Sequence, residues 1–197
     1  MNEEDLKAIK IKKENMKIYS IHKSLTTDSL FFYSIYILLL TQVKNIGMQY
    51  IVFSNVLYQL AYIVAQIPAT IIIEKLKFKK GMMIGDILLA ISIILIMLSN
   101  YNIILYIANI VMAIGLSVKE FAEDTVLAAS IPEVEEKGKL FSKAYGKGLG
   151  NYFYLSAISA LISGFLYNVN PYIPMILCTL IYIVATRITQ LFNLVPV

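Results

Sequence analysis

The chain has 197 residues, 58% of them hydrophobic and 15% charged, with a mean hydropathy of +0.71 and a formal net charge of +4. A soluble domain is usually about 45–50% apolar. Here the apolar residues fall in runs of about 20, the length at which a helix crosses a bilayer. A single cysteine, Cys178, gives no disulfide framework, a single histidine, His22, gives no metal cluster, and the basic residues sit at the joints between apolar runs, not in a patch for nucleic acid.

Residues 1–27 carry Lys7, Lys10, Lys12, Lys13, Lys17 and Lys23 against Glu3, Glu4, Asp5 and Glu14. They are too charged for a cleavable signal and are expected to form a cytoplasmic lead-in containing His22, either a solvated tail or an amphipathic helix on the membrane surface. A transmembrane domain is predicted over 28–192, followed by a short tail, 193–197. Its six spans run from about Ser29 to Ile46, Gln49 to Ile73, Met82 to Leu98, Ile103 to Val118, Leu149 to Tyr167 and Tyr172 to Phe192. The fourth continues as helix toward Ala129 and stops before Pro132. The joints after the first, third and fifth spans hold one lysine, Lys44, whereas the joints after the second and fourth are rich in lysine. The positive-inside rule therefore places the lysine-rich joints and both termini in the cytoplasm of a plasma-membrane protein.

Placed at about 100° per residue, the polar side chains sort the spans into two kinds. Tyr33, Tyr36 and Lys44 share an arc of the first span. Asn55, Gln59, Tyr62, Gln66 and Thr70 line the second, Tyr106, Asn109, Ser117, Glu120 and Asp124 the fourth, and Tyr152, Ser156, Ser159 and Ser163 the fifth. Lipid cannot hydrogen-bond such groups, so these four spans are expected to face one another or a wet cavity, and the third and sixth to face mostly lipid. Each stripe serves as interhelical glue or as cavity lining. Lys44 reads as an outer-interface anchor. Asp86, inside the third span, calls for a partner among Lys79, Lys80 and Lys119. Gly146, Gly148 and Gly150 read as close-packing or bending positions at the start of the fifth span.

Six spans with both ends inside, peripheral third and sixth helices, and the loop between the second and third together resemble the N-terminal six-helix half of a major facilitator superfamily transporter. That family's loop reads roughly Gly-x-x-x-Asp-Arg-x-Gly-Arg-Lys/Arg-Lys. Here Thr70 stands at the first glycine, Glu74 at the aspartate, Lys75 at the arginine, Lys77 at the second glycine, Phe78 at the next arginine, and Lys79 and Lys80 at the basic pair. The resemblance implies an all-α membrane protein whose six transmembrane helices form two three-helix repeats, a half bundle. It implies gating roles for Glu74, Lys75, Lys79, Lys80, Asp86 and Asp124, through charge pairs that hold one access state closed. It also implies that Tyr33, Tyr36, Asn55, Gln59, Tyr62, Gln66, Tyr106, Asn109, Ser117 and Glu120 face the substrate. The helix-four arginine of proton-coupled members is missing, with Asn109 or Val111 near its place, and Ser163-Gly164 is only a faint echo of the drug antiporters' Gly-Pro signature.

The family builds twelve helices around a central site, so this chain is expected to pair with a second six-helix half, a separate chain or another copy. The expected activity is alternating-access transport of an uncharged or weakly charged small solute, with no cofactor. The alternative is a truncated or non-transporting six-helix membrane protein acting as an interaction subunit. Enzyme chemistry is not expected, because no serine–histidine pair, mid-membrane aspartate pair or metal cluster is present in the spans.

Overall fold

The structure, a computed structural model, describes residues 3–131 and 137–192, without the side chains of residues 3–8, 72 and 74–76. Helix α1 (Glu3–Thr26) precedes a turn segment, the short α2 (Tyr36–Leu38) and a π-helical turn, Leu39–Val43. The long helices α3 (Met48–Leu76), α4 (Phe78–Met97), α5 (Asn102–Ser130), α6 (Lys137–Val169) and α7 (Ile173–Gln190) follow. These last five are long and apolar enough to cross a membrane and correspond to the second to sixth expected spans. Pro132 and the tail 193–197 lie outside the described residues.

The first expected span is not one helix. The backbone turns left-handed at Phe31, φ 67°, and re-forms a helix only at Tyr36. The π turn closes with Lys44 N–H on Leu39 O at 3.0 Å and ends at Asn45, φ 53°, a residue that tolerates that conformation. Hydropathy identified the segment's burial and not its path: Phe32, Ile35, Tyr36, Leu39 and Leu40 sit in a shared core with Leu89, Ile93, Met112 and Tyr182.

Helix α1 is neither a solvated tail nor a surface helix over its C-terminal half. Asn15, Tyr19, His22, Lys23 and Thr26 recur at helical spacing and are buried, and the helix packs against α5, α6 and α7. It also carries α6, whose contacts are chiefly with α1. Ser20 Oγ donates to Ala144 O at 3.1 Å, and Lys23 Nζ lies 4.9 Å over the Tyr145 ring. A Cβ on Gly148 would fall 2.7 Å from Lys23 Cβ, so the expected close-packing role holds for that glycine, whereas Gly146 and Gly150 have open space.

The centre of the bundle is α5, flanked by α3 and α4, with α7 against α4. Gly85 lets α4 approach α5: a Cβ there would lie 2.6 Å from Lys119 Cβ and 2.8 Å from its backbone. Such small-residue contacts are how helices pack closely in lipid. Half of the most apolar 18-residue stretch is buried in α4 and in α5 and 39% in α7, against 11% in α3 and α6. The expectation that the third and sixth spans are the exposed ones is therefore not met within this chain. The wheel ranked helices by polar stripes, but α4 buries a face of glycine and aliphatic side chains, and α7 buries Cys178, Thr179, Tyr182, Ala185 and Thr189 on one side.

Helices α3 and α4 are joined by Lys77 alone, at φ 68° and ψ 134°. This is where the family pattern has its second glycine, the residue that takes positive φ without steric cost. Holding a side chain there costs on the order of 1–2 kcal/mol. Lys77→Gly is expected to stabilise the chain by about 1 kcal/mol, read as a raised melting temperature in detergent or nanodiscs; an unchanged or lowered value would mean the joint carries no strain.

Candidate functional site

Helices α3 and α5 pack along a seam with a polar side and an apolar side. On the polar side, Tyr62, Gln66 and Thr70 recur every fourth residue on α3 and oppose Ser117, Glu120, Phe121 and Asp124 of α5. Together they enclose a cleft of about 250 Å³. Tyr62 Oη donates to Glu120 Oε2 at 2.5 Å, and Ser117 Oγ lies 3.2 Å from Tyr62 O and 3.0 Å from Ala113 O. The Tyr58 ring stacks beside Tyr62, centroids 6.4 Å apart. On the other side of the seam, Ala61, Val64, Pro68, Ile110 and Ile114 border an apolar groove.

The cleft gathers Tyr62, Gln66, Ser117 and Glu120 of the expected substrate-facing residues, with Asp124 from the expected gate. Asn55 and Gln59 continue the α3 stripe but stand exposed outside it. Tyr36 and Asn109 form a separate buried pair, with Asn109 Nδ2 donating to Tyr36 Oη at 3.4 Å and to Leu105 O at 3.0 Å. Tyr33 is exposed, edge-on to Phe32, and Tyr106 packs edge-on to Phe53 at 5.3 Å. Ser159 and Ser163 of α6 are buried and donate to their own helix, at Ser156 O and Ser159 O. Lys44 lies at the bundle's other end, where it donates to Asn100 Oδ1 at 3.2 Å and sits 5.3 Å from the Tyr172 ring centroid.

Among the expected gating residues, the side chains of Glu74 and Lys75 lie outside the described residues. Lys80 is exposed. Lys79 Nζ donates to Gln190 O at 2.6 Å and Phe192 O at 2.9 Å, neutralising orphan carbonyls at the end of α7. Asp86 is fully buried, and its hydrogen-bond partner is none of the three expected lysines. His22 Nε2 lies 2.9 Å from Asp86 Oδ2, and His22 Nδ1 lies 2.9 Å from Glu123 Oε1. Lys23 Nζ donates to Glu123 Oε2 at 2.9 Å. Lys119, also buried, passes Gly85 and donates to Thr26 O.

The cluster thus joins α1 to α4 and α5 with three cationic side chains and two carboxylates in a site closed to solvent. Burial by itself would lower the pKa of His22, but the facing charge of Asp86, with the Glu123 contact, outweighs it and raises the value to about 9. For Lys23, burial is likewise outweighed by Glu123, and its pKa is raised. Asp86 Oδ1 is buried with no hydrogen-bond partner among the described residues. A lone aspartate in an apolar run demands a cation. The pointer to His22 was its place on one helical face with Tyr19 and Thr26. Among the described residues, no group of three or more His, Cys, Asp or Glu side chains is placed to hold a metal ion.

The Tyr62–Glu120 contact closes the cleft from α3 to α5. A double-mutant cycle with Tyr62→Phe and Glu120→Gln is expected to give a coupling of about 1 kcal/mol by reversible unfolding, because the contact is a direct side-chain hydrogen bond in a half-buried site. A coupling of zero would mean the two side chains do not bridge the helices.

No curated protein and no solved structure matches the chain. Residues 24–195, nearly the whole bundle, match the family model described as Major Facilitator Superfamily. With five apolar helices of membrane-spanning length and a polar cleft between two of them, this match makes the protein a membrane transporter of the facilitator type. The chain belongs to the Major Facilitator Superfamily.

Proposed function

We propose that the chain works as one half of an alternating-access transporter, its pathway completed by a second six-helix half, either a separate chain or another copy. The observation that carries this reading is the α3 face. Asn55, Gln59 and Gln66 are exposed on a helix long enough to cross the membrane, and amide side chains in hydrocarbon need protein or water beside them. A facing half with water between the two supplies both, and the Tyr62–Glu120 cleft then opens into the shared pathway.

The lining favours a small, uncharged or weakly charged solute. Gln66, Thr70 and Ser117 offer hydrogen-bonding groups, Phe121 and Tyr62 offer ring faces, and Glu120 is already engaged by Tyr62. The gating charges, Glu74, Lys75, Lys79, Lys80, Asp86 and Asp124, fit a cytoplasmic network that breaks and re-forms as helices rock, consistent with the lysine-rich joints marking that side.

Reconstitution tests the reading. The protein purified with its partner is expected to occupy lipid as a complex of two six-helix units and to show solute flux in proteoliposomes. A stable six-helix monomer without flux would overturn it in favour of a non-transporting interaction subunit. In the assembled transporter, Glu74→Gln is expected to change the transport rate while leaving membrane insertion intact; an unaltered rate would leave Glu74 only a role in orienting the α3–α4 pair.

A further inference from the structure

The family match begins at residue 24, so His22 and Lys23 lie outside it. Yet His22 is the residue through which α1 meets both α4 and α5. Its two ring nitrogens face two different carboxylates, each at 2.9 Å, and all three side chains are fully buried. A carboxylate oxygen can only accept. Both contacts are therefore hydrogen bonds only when both ring nitrogens carry protons. A neutral imidazole has one N–H, so one nitrogen lone pair would stand against a carboxylate oxygen with no water to separate them.

We propose that His22 is a proton-binding site, and that the one proton distinguishing imidazolium from imidazole clamps the N-terminal helix α1 to the transmembrane bundle. The proton's loss leaves either the Asp86 or the Glu123 bridge without a donor and loosens α1. Because α6 reaches the bundle chiefly through α1, the same event frees α6 to move.

The charged and titratable groups around the ring are consistent with this assignment. On α1 itself, Thr26 Oγ1 lies 3.2 Å from Nδ1 and donates to His22 O at 3.0 Å, leaving the ring's charge to the carboxylates. Tyr19 is one turn earlier and buried. Lys23 is paired to Glu123 Oε2, the oxygen that His22 does not use, and lies against Tyr145 of α6. On α5, Lys119 is engaged by Thr26 O. On α4, Asp86 has no donor besides His22 among the described residues, and its Oδ1 is unpartnered. On α7, the buried Tyr182 is hydrogen-bonded to Ser29, 3.0 Å away. Among the described residues, Asp86 thus depends on the imidazolium alone, whereas Glu123 keeps Lys23 when the proton leaves.

The sign of the pH dependence follows. The docked pKa of His22, about 9, lies above its ordinary value of 6.5. Docking is therefore fully supported below pH 6.5 and weakens as pH rises from there toward 9, by up to about tenfold per pH unit for one linked proton.

His22 is the only histidine in the chain, so the ring nitrogens of the full-length protein, labelled with ¹⁵N-histidine in lipid nanodiscs, give one unambiguous signal set. Both nitrogens are expected to be protonated at pH 7, with a midpoint well above 6.5. Amide-exchange protection over Tyr19–Thr26, corrected for the intrinsic rate, is expected to fall over the same window. His22→Arg, permanently charged and two-pronged, should keep α1 protected and abolish the pH slope; His22→Gln should lose protection at every pH. A neutral tautomer at pH 7, or protection unchanged from pH 6.5 to 9 in the wild-type chain, overturns the proposal whether or not the variants fold.

Discussion

A polar group placed in hydrocarbon must be answered by protein or by water, and this chain answers its polar groups in two different ways. Asp86 and Glu123, the charges carried into the middle of the helix packing, are answered from within. Helix α1 brings His22 and Lys23 to them, and Gly85 opens the space for Lys119. Isolated ions in such a site would cost several kcal/mol each. Set among one another they form a bonded unit that fixes α1, and α1 in turn fixes α6. The placement of α6 on the bundle thus depends on a segment that reads locally as a polar leader.

Asn55 and Gln59 of α3 stand exposed at the surface of the chain, outside the cleft, while Gln66 lines it beside Tyr62, which reaches across to Glu120. The contrast between a charge-paired interior cluster and an exposed outer stripe is the physical basis for reading the chain as one side of a pathway. Glycine placement fits the same division. Gly85 and Gly115 bring α4 onto α5 to make a rigid block, while Lys77 makes a one-residue joint between that block and α3. Motion of α3 relative to the α4–α5 pair would change the Tyr62–Glu120 cleft directly.

Much of this was legible in the sequence because it is local. Hydropathy located α3 to α7, and the polar stripes on α3 and α5 contain the residues Tyr62, Gln66, Ser117 and Glu120 that line one cleft. The family pattern aligned its second glycine with Lys77, and the structure shows that position to be the joint between α3 and α4. What was not legible depends on partners distant in sequence. His22 meets Asp86 and Glu123 across 64 and 101 residues, and no helical wheel reports which neighbour a face will find. For the same reason Asp86 was matched to Lys79, Lys80 and Lys119, and not to His22. The first expected span failed differently: residues 29–46 are apolar enough to be buried, but nothing in their hydropathy signals the turn at Phe31.

The central claim is that the α3 stripe faces protein or water and not lipid in the assembled transporter. A nitroxide at Gln59→Cys in nanodiscs, compared with one at Val64→Cys on the apolar side of the same helix, tests it by collision with membrane-dissolved oxygen and with a polar relaxant. The account predicts that Gln59 is shielded from oxygen and reached by the polar relaxant while Val64 shows the lipid pattern. Equal, lipid-like accessibility at both positions would contradict it.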